Sequence, residues 1–351
     1  MNEEAGGRLA EAVRGIRSHS VENLARLAEE AVANLTARGC RVFVAAEAGE
    51  ALDFVAQVAA DKKNVVLSRV PAGEEIGLTR FLTEQGARLA HCHAGEWLLT
   101  ALGLAGGHPY RPTLGLSQLH DPAVLAQVAA RQDLAGFLPG PSEAAAIVDA
   151  LRQKNTGACL AADLGITGAQ AIAVDTGTIF LAEEEGDARL VSNLPHTHLV
   201  VAGLECLVPD LPAALATVRY LSRYAYGRPL VRYVSAISGP SRTGDIEMQL
   251  VPGMHGPKKV AVLLLAGGRL SVPERWARAL YCLHCGACIP AGAVVPQPGP
   301  GDPAPWPYPG TAGAVLRHLF ATRPAPLVAA DSFTGCPLGI DMPGLWAEMA
   351  G

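Results

Sequence analysis

The sequence lacks what would mark a membrane protein. No apolar run approaches the roughly 20 residues of a helical span, and the longest is "VAVLLLA", Val260–Ala266. Positive charge is also scarce. With 28 Lys and Arg against 33 Asp and Glu, the net charge is −5, which leaves no basic footprint for nucleic acid. The opening "MNEEAGGRLAEAVRGIRSH" is acidic and then helical in period, without the charged and apolar regions of a signal peptide, so a cytoplasmic location is expected. Nucleotide loops are missing too: no Gly-x-Gly-x-x-Gly opens a helix after a strand, and neither a Walker loop nor a Gly-x-Ser-x-Gly elbow occurs. Rossmann-type binding of NAD or FAD is therefore unsupported.

What is present is a chain of 351 residues, half of them apolar, with 38 Gly and 26 Pro. That length and composition suit a well-buried protein of roughly two domains. Leu9, Val13, Ile16, Val21, Leu24, Leu27 and Val32 recur at helical spacings up to Gly39. "RVFVAA" (41–46), "NVVLSR" (64–69) and "RLAHCH" (88–93) read as strands separated by helical stretches at 49–60 and 74–86. A second series follows, with a hairpin-like pair at 172–194 and strands at "VRYVSAISG" and "KVAVLLLAGG". This alternation predicts a three-layer α/β domain with a largely parallel sheet. The expected division is a helical and strand segment over 1–60, an α/β domain over 61–272 and a tail over 273–351. Within the tail, residues 290–309 contain eight prolines in twenty positions and read as an extended loop.

The eight cysteines do not form a disulfide framework in a reducing compartment. Cys40, Cys92, Cys159 and Cys206 are scattered and read as small buried hydrophobes. Cys282, Cys285, Cys288 and Cys336 all lie in the last fifth of the chain. In two-cluster bacterial ferredoxins Cys-x2-Cys-x2-Cys ends in x3-Cys-Pro, and that fourth cysteine serves the other cluster. Here Gly292 stands where the fourth cysteine of the first run belongs. Cys336, followed by Pro337, is the Cys-Pro end of a second run whose other positions are Pro326, Ala329 and Ser332. The cysteines present make one complete ligand set, and those absent make the other. The spacing predicts one [4Fe–4S] cluster on Cys282, Cys285, Cys288 and Cys336. A zinc site and four unrelated thiols are the alternatives.

With those residues in view, the chain resembles the lactate-utilisation (LUD) domain family, and most of all its iron–sulfur protein. The segments that carry the likeness are "GITGAQAIAVDTGTIFLAEEEGDARLVSNLPHTHLVVAGLECLVPDLPAAL" (165–215), "SGPSRTGDIEMQLVPGMHGPKKVAVLLLAGGR" (238–269) and the tail "CLHCGACIPAG…CPLGIDMPGL". The resemblance implies a fold like ribose-5-phosphate isomerase and CoA transferases, followed by a ferredoxin-like tail. It also implies electron transfer beside partner subunits in a complex that oxidises L-lactate or a related 2-hydroxy acid. A cleft that binds a small carboxylate or CoA-like anion is the alternative role.

Further candidates are weaker. "SGPSRTGDIE" sets Ser241, Arg242, Thr243 and Asp245 before an expected short helix, where main-chain N–H groups and an arginine could receive an anion. A capped tight turn explains the same residues. Thr176 and Gly177 could flank a bound acid, or could simply make a hairpin turn, and His255 is a further polar candidate for such a cleft. Glu183, Glu184 and Glu185 read as a solvated turn, and His196 with His198 as a capped or exposed pair. Structural roles are expected for Glu96, His108 and His120.

Overall fold

The computed structural model describes residues 3–101, 107–108, 121–132, 134, 137, 143–246, 249–288, 295–296, 308, 310–320 and 335–350. Two helices, Glu3–Glu22 and Leu24–Ala37, occupy the predicted N-terminal helical stretch. The strands are β1 Arg41–Ala45, β2 Asn64–Leu67, β3 Arg88–His91, β4 Gly107–His108, β5 Leu164–Thr167, β6 Ala171–Ala173, β7 Thr178–Glu183, β8 Thr197–Gly203, β9 Leu207–Val208, β10 Tyr233–Ile237, β11 Arg242–Ile246, β12 Gln249–Pro252, β13 Lys259–Leu265 and β14 Val295–Pro296.

Six of them form one parallel sheet in the order β1-β13-β8-β5-β2-β3. Its interior strand β13, between β1 and β8, is apolar along nearly its whole length, as a strand covered on both faces must be. Alternation divides it between two cores. Val260, Val262 and Leu264 face the helix Leu24–Ala37 together with Ile172, Ile179 and Leu181. Ala261, Leu263 and Leu265 pack with Phe54, Val55, Leu78 and Leu82, residues from the helices Ala48–Ala59 and Leu78–Glu84. The predicted helix at 74–86 is two short ones, Pro71–Glu75 and Leu78–Glu84, divided at Gly77, whose φ of 70° lies in the left-handed region.

A second sheet, β10-β7-β6-β9, contains the expected hairpin as antiparallel β6–β7. One of its faces meets the large sheet, and the helix Leu211–Tyr224 covers the other through Ala213, Ala214 and Val218. That helix starts where Asp210 accepts a hydrogen bond from the Ala213 N–H at 2.8 Å. "SRTGDI" does not lead into the expected helix. It forms strand β11 of a hairpin with β12, so the anion reading loses its helix N-terminus.

The described part of the tail is mainly helical: a 3-10 helix at Glu274–Tyr281, then Gly310–Phe320 and Met342–Ala350. It shares an apolar cluster with Ala10 and Val13 of the first helix and Tyr220 and Leu221 of the helix Leu211–Tyr224. Most of the proline-rich loop, the side chain of Asp245, Glu96's side chain and all of His120 lie outside the described residues. Among the described residues no helix is long and apolar enough to cross a membrane.

Candidate metal centre and adjoining cavity

The 3-10 helix Glu274–Tyr281 delivers the chain into a loop that holds three of the four cysteines. His284 and Gly286 take left-handed conformations, at φ 53° and 69°, which curl the loop around its sulfurs. The His284 N–H donates to Cys282 Sγ at 3.4 Å, and Tyr220 Oη lies 3.9 Å from Cys285 Sγ. Cys336 arrives from the far side of the proline-rich loop, beside Gly335 at φ 100°. Cys282, Cys285 and Cys336 belong to one apolar cluster with Tyr220 and Leu338. Burial pushes the thiols of Cys282 and Cys285 up, and neighbouring cysteines, Cys336 among them, push in the same direction.

Thiol donors in an apolar shell, with N–H groups aimed at sulfur, suit an iron–sulfur cluster in kind. They do not form a ready cage for one ion. Among the described residues no group of three or more His, Cys, Asp or Glu is gathered as a single metal needs. Zinc would draw its thiolates within about 2.3 Å of one centre, whereas a cubane distributes them over four irons.

Beside the loop lies a cavity of about 160 Å³. Cys282, His284 and Cys288 line one wall, and Ser68, Thr167 and Glu183 line another. Ser68 and Thr167 stand at the carboxyl ends of β2 and β5, where open α/β sheets receive their ligands. The glutamate run is not the solvated turn expected from sequence, because Glu183 is 7% exposed. Glu183 accepts the N–H groups of Ala188 and Arg189 at 2.9 and 2.8 Å. Burial, a hydrogen bond with the Asp187 carboxyl and that group's charge push Glu183 up to about 9. Ser68 Oγ donates to Asp187 at 2.7 Å. Glu184 holds Arg228 at 3.1 Å.

A buried ionic chain joins the sheet to the tail. Arg269, just beyond β13, grips Glu205 beyond β8 and reaches Glu75 at 2.7 Å. Its guanidinium lies 4.5 Å over Phe320. Tyr308 donates to Glu75 at 2.6 Å and stacks on His284 at 4.0 Å. Burial raises the Glu205 carboxyl most, but the charge and hydrogen bonding of Arg269, with His284 and a main-chain hydrogen bond, together outweigh it and leave Glu205 below its ordinary value. For Glu75 burial wins, and the carboxyl stays high. Gly203 is required here, since a Cβ would stand 2.1 Å from Glu205 Oε2.

The anion candidates sit elsewhere. Arg242 donates to the Arg38 carbonyl and Arg38 Nε to the Thr176 carbonyl at 3.0 Å, so the two predicted turns meet across Arg38 near the start of β1. Ser241 Oγ accepts the His255 N–H at 3.2 Å. Arg242 and His255 are exposed, Thr243 is half-buried, and Gly177 packs on Asn34 in a left-handed conformation. None of these residues lines the cavity. The histidine pair divides: His196 is exposed, while His198 is fully buried, with Nε2 2.9 Å from Thr167 Oγ1. Burial pushes His198 down to about 3. Sequence reasoning missed Arg17, Glu75, Glu205 and Arg269. Single charged residues in apolar surroundings were the available signal, and spacing along the chain does not reveal their pairing.

A sequence model of the LUD domain matches residues 28–265. Lactate utilization protein B of Oceanobacillus iheyensis is 32% identical over 311 residues, covering 87% of this chain and 61% of that protein. Its Bacillus subtilis counterpart is 30% identical over 309 residues, with the same coverage. An Escherichia coli protein named "uncharacterized electron transport protein" is 29% identical over 311 residues, 87% of this chain and 62% of that one. The chain thus spans about 61% of the length of these curated relatives. A crystal structure of a DUF162 family protein from Deinococcus radiodurans aligns with TM-score 0.38 and 14% identity over 69% of this chain and 98% of that one.

Proposed function

The chain belongs to the LUD domain family, and from that premise we propose that it is an iron–sulfur electron-transfer subunit. In this reading it works in the cytoplasm beside partner subunits of a complex that oxidises L-lactate or a related 2-hydroxy acid. One [4Fe–4S] cluster sits on Cys282, Cys285, Cys288 and Cys336. The observation that carries the reading is the cysteine set, complete for one cluster and empty for a second, of which Cys282, Cys285 and Cys336 lie at an apolar junction of the tail with the helices Glu3–Glu22 and Leu211–Tyr224. Names given to relatives, for lactate utilisation and for electron transport, support it. The cluster supplies one-electron transfer, and the chain supplies burial and N–H···S bonds that set its potential.

Anaerobic purification tests this. The expected product is a brown protein with about four iron and four sulfide per chain and an EPR signal after dithionite reduction. A colourless, zinc-loaded protein would sink the proposal.

A second reading has one observation in its favour. The cavity lies at the carboxyl ends of β2 and β5 and reaches Cys282 and Cys288, so a small ligand there would meet both the sheet and the cysteine loop. On this reading the chain is itself an enzyme of small carboxylates. Lactate-dependent dye reduction by the isolated chain would favour it over the first.

A further inference from the structure

Among the described residues Arg17 is the largest fully buried side chain. It comes from the first helix and clamps two carbonyls remote in sequence, that of Glu205 and, at 2.5 Å, that of Leu280. Leu280 lies two residues ahead of Cys282, so this cation is fixed at the base of the cysteine loop. Neither hydrogen bond goes to a carboxylate, and its Nε has no partner in the structure. Glu205, the carboxylate whose charge acts on Arg17, spends both oxygens on Arg269.

Two carbonyl acceptors do not require a charge. A neutral amide could serve them without the cost of taking a cation out of water. Buried charges are kept where an opposite charge meets them. Besides Glu205 and the Tyr281 hydroxyl, the acidic groups that act on Arg17 are the thiols of Cys206 and Cys282. Cys206 is a half-buried thiol that donates to the Ala169 carbonyl at 3.3 Å, and desolvation pushes it up, toward its neutral form. Four thiolates around a cubane carry net negative charge, and that charge grows by one on reduction.

We propose that Arg17 is the buried counter-charge of the cluster, stabilising its reduced state from beside Cys282. This rests on the cluster assignment made above. The electron balance is simple: the oxidised cluster gains one electron from a mediator or protein donor, no bond to Arg17 changes, and the fixed cation lowers the energy of the added charge.

The test is an EPR-monitored redox titration of the full chain, purified anaerobically, with iron and sulfide counted in each sample. Arg17→Gln, which keeps hydrogen-bonding capacity, should retain its iron and shift at least tenfold toward the oxidised form at a fixed ambient potential, about 59 mV for one electron. Arg17→Lys, which keeps the charge, should stay near the unsubstituted protein. A merely structural clamp would lose iron in both variants without moving the potential of what remains. Should Arg17→Gln fail to fold, Glu205→Gln carries the test: removing a negative charge beside the same loop should move the potential the opposite way. Full iron with an unmoved potential in Arg17→Gln, or in Glu205→Gln where that variant carries the test, overturns the counter-charge role alone. An iron-free unsubstituted protein instead overturns the cluster reading beneath it.

Discussion

At the carboxyl ends of β2, β8 and β13 the polar side chains are buried and meet partners from distant segments: Ser68 with Asp187, Arg269 with Glu205 and Glu75. Near the amino end of β1, Arg38 and Arg242 are exposed and bind main-chain carbonyls of adjoining turns. Both ends are rich in hydrogen bonds, but the alternatives to those bonds differ. A desolvated carboxylate that loses its arginine has nothing to replace it, whereas an exposed carbonyl that loses an arginine takes up water. The cavity and the cysteine loop adjoin the first end. Matched burial therefore separates a site from a set of capped turns better than a count of polar residues does.

The largest effect should follow loss of a proposed cluster ligand. Cys336→Ser removes the sulfur that closes the set across 47 intervening residues, 289–335. Iron content and the EPR signal should fall to background, while far-UV circular dichroism keeps the α/β signature of the sheet. Unchanged iron would show that the cross-run assignment is wrong.

Next in size is Arg269→Met. Removing this cation leaves Glu205 and Glu75 buried without their partner, at a cost of about 3–5 kcal/mol by analogy with other broken buried pairs. Urea unfolding at pH 7 measures it. Combining Arg269→Met with Glu205→Gln should recover part of the loss, because an uncompensated charge then leaves the core.

A smaller, pH-dependent effect belongs to Glu183. Its carboxyl is raised from 4.5 to about 9, so the folded chain holds a proton there that the unfolded chain has released. Stability from this group is complete below pH 4.5 and declines as pH rises toward 9. The buried His198, pushed to about 3, is neutral in the fold, and with an ordinary value of 6.5 its opposing contribution fades as pH rises past 6.5. Between pH 6.5 and 9 stability should fall by at most about 1.4 kcal/mol per pH unit. Glu183→Gln should flatten that decline. An equally steep slope in the variant would place the titrating group elsewhere.

Much of the frame was legible in the sequence. The nearly all-apolar β13 and the 3.6-residue spacing of the first helices each have one good burial solution, and their positions match the prediction within a few residues. The cysteine set was singled out because ferredoxin spacing constrains all four positions together, and the fold gathers Cys282, Cys285 and Cys336 into one apolar cluster. The buried polar chain was not. Arg17 and Leu280 lie 263 residues apart, and Arg269 and Glu75 lie 194 apart, so nothing local in the sequence announces either contact. The glutamate run misled for a related reason: three acids in a row suggest a solvated turn unless a second carboxyl and a helix start are known to cover them. "GPSRTGDIE" misled through its Ser and Gly content, which suits a helix cap and a hairpin approach equally well.

That last segment supplies the smallest prediction and the sharpest use of the contrast between the two ends of the sheet. Arg242 is the most anion-like residue in the sequence reading, set among Ser241, Thr243 and two glycines. In the fold its guanidinium donates to the Arg38 carbonyl at an exposed turn and does not line the cavity beside the cysteine loop. Replacing it with alanine removes one solvent-accessible hydrogen bond, which water can restore. Arg242→Ala should therefore change unfolding free energy by no more than about 0.5 kcal/mol. It should also leave iron content and the EPR spectrum as they are. If Arg242→Ala cost as much as Arg269→Met, exposure would not be what separates the two ends. If it abolished lactate-dependent dye reduction by the chain while sparing stability, the anion site would belong at the amino end after all, and the cavity at the carboxyl end would lose its claim to the ligand.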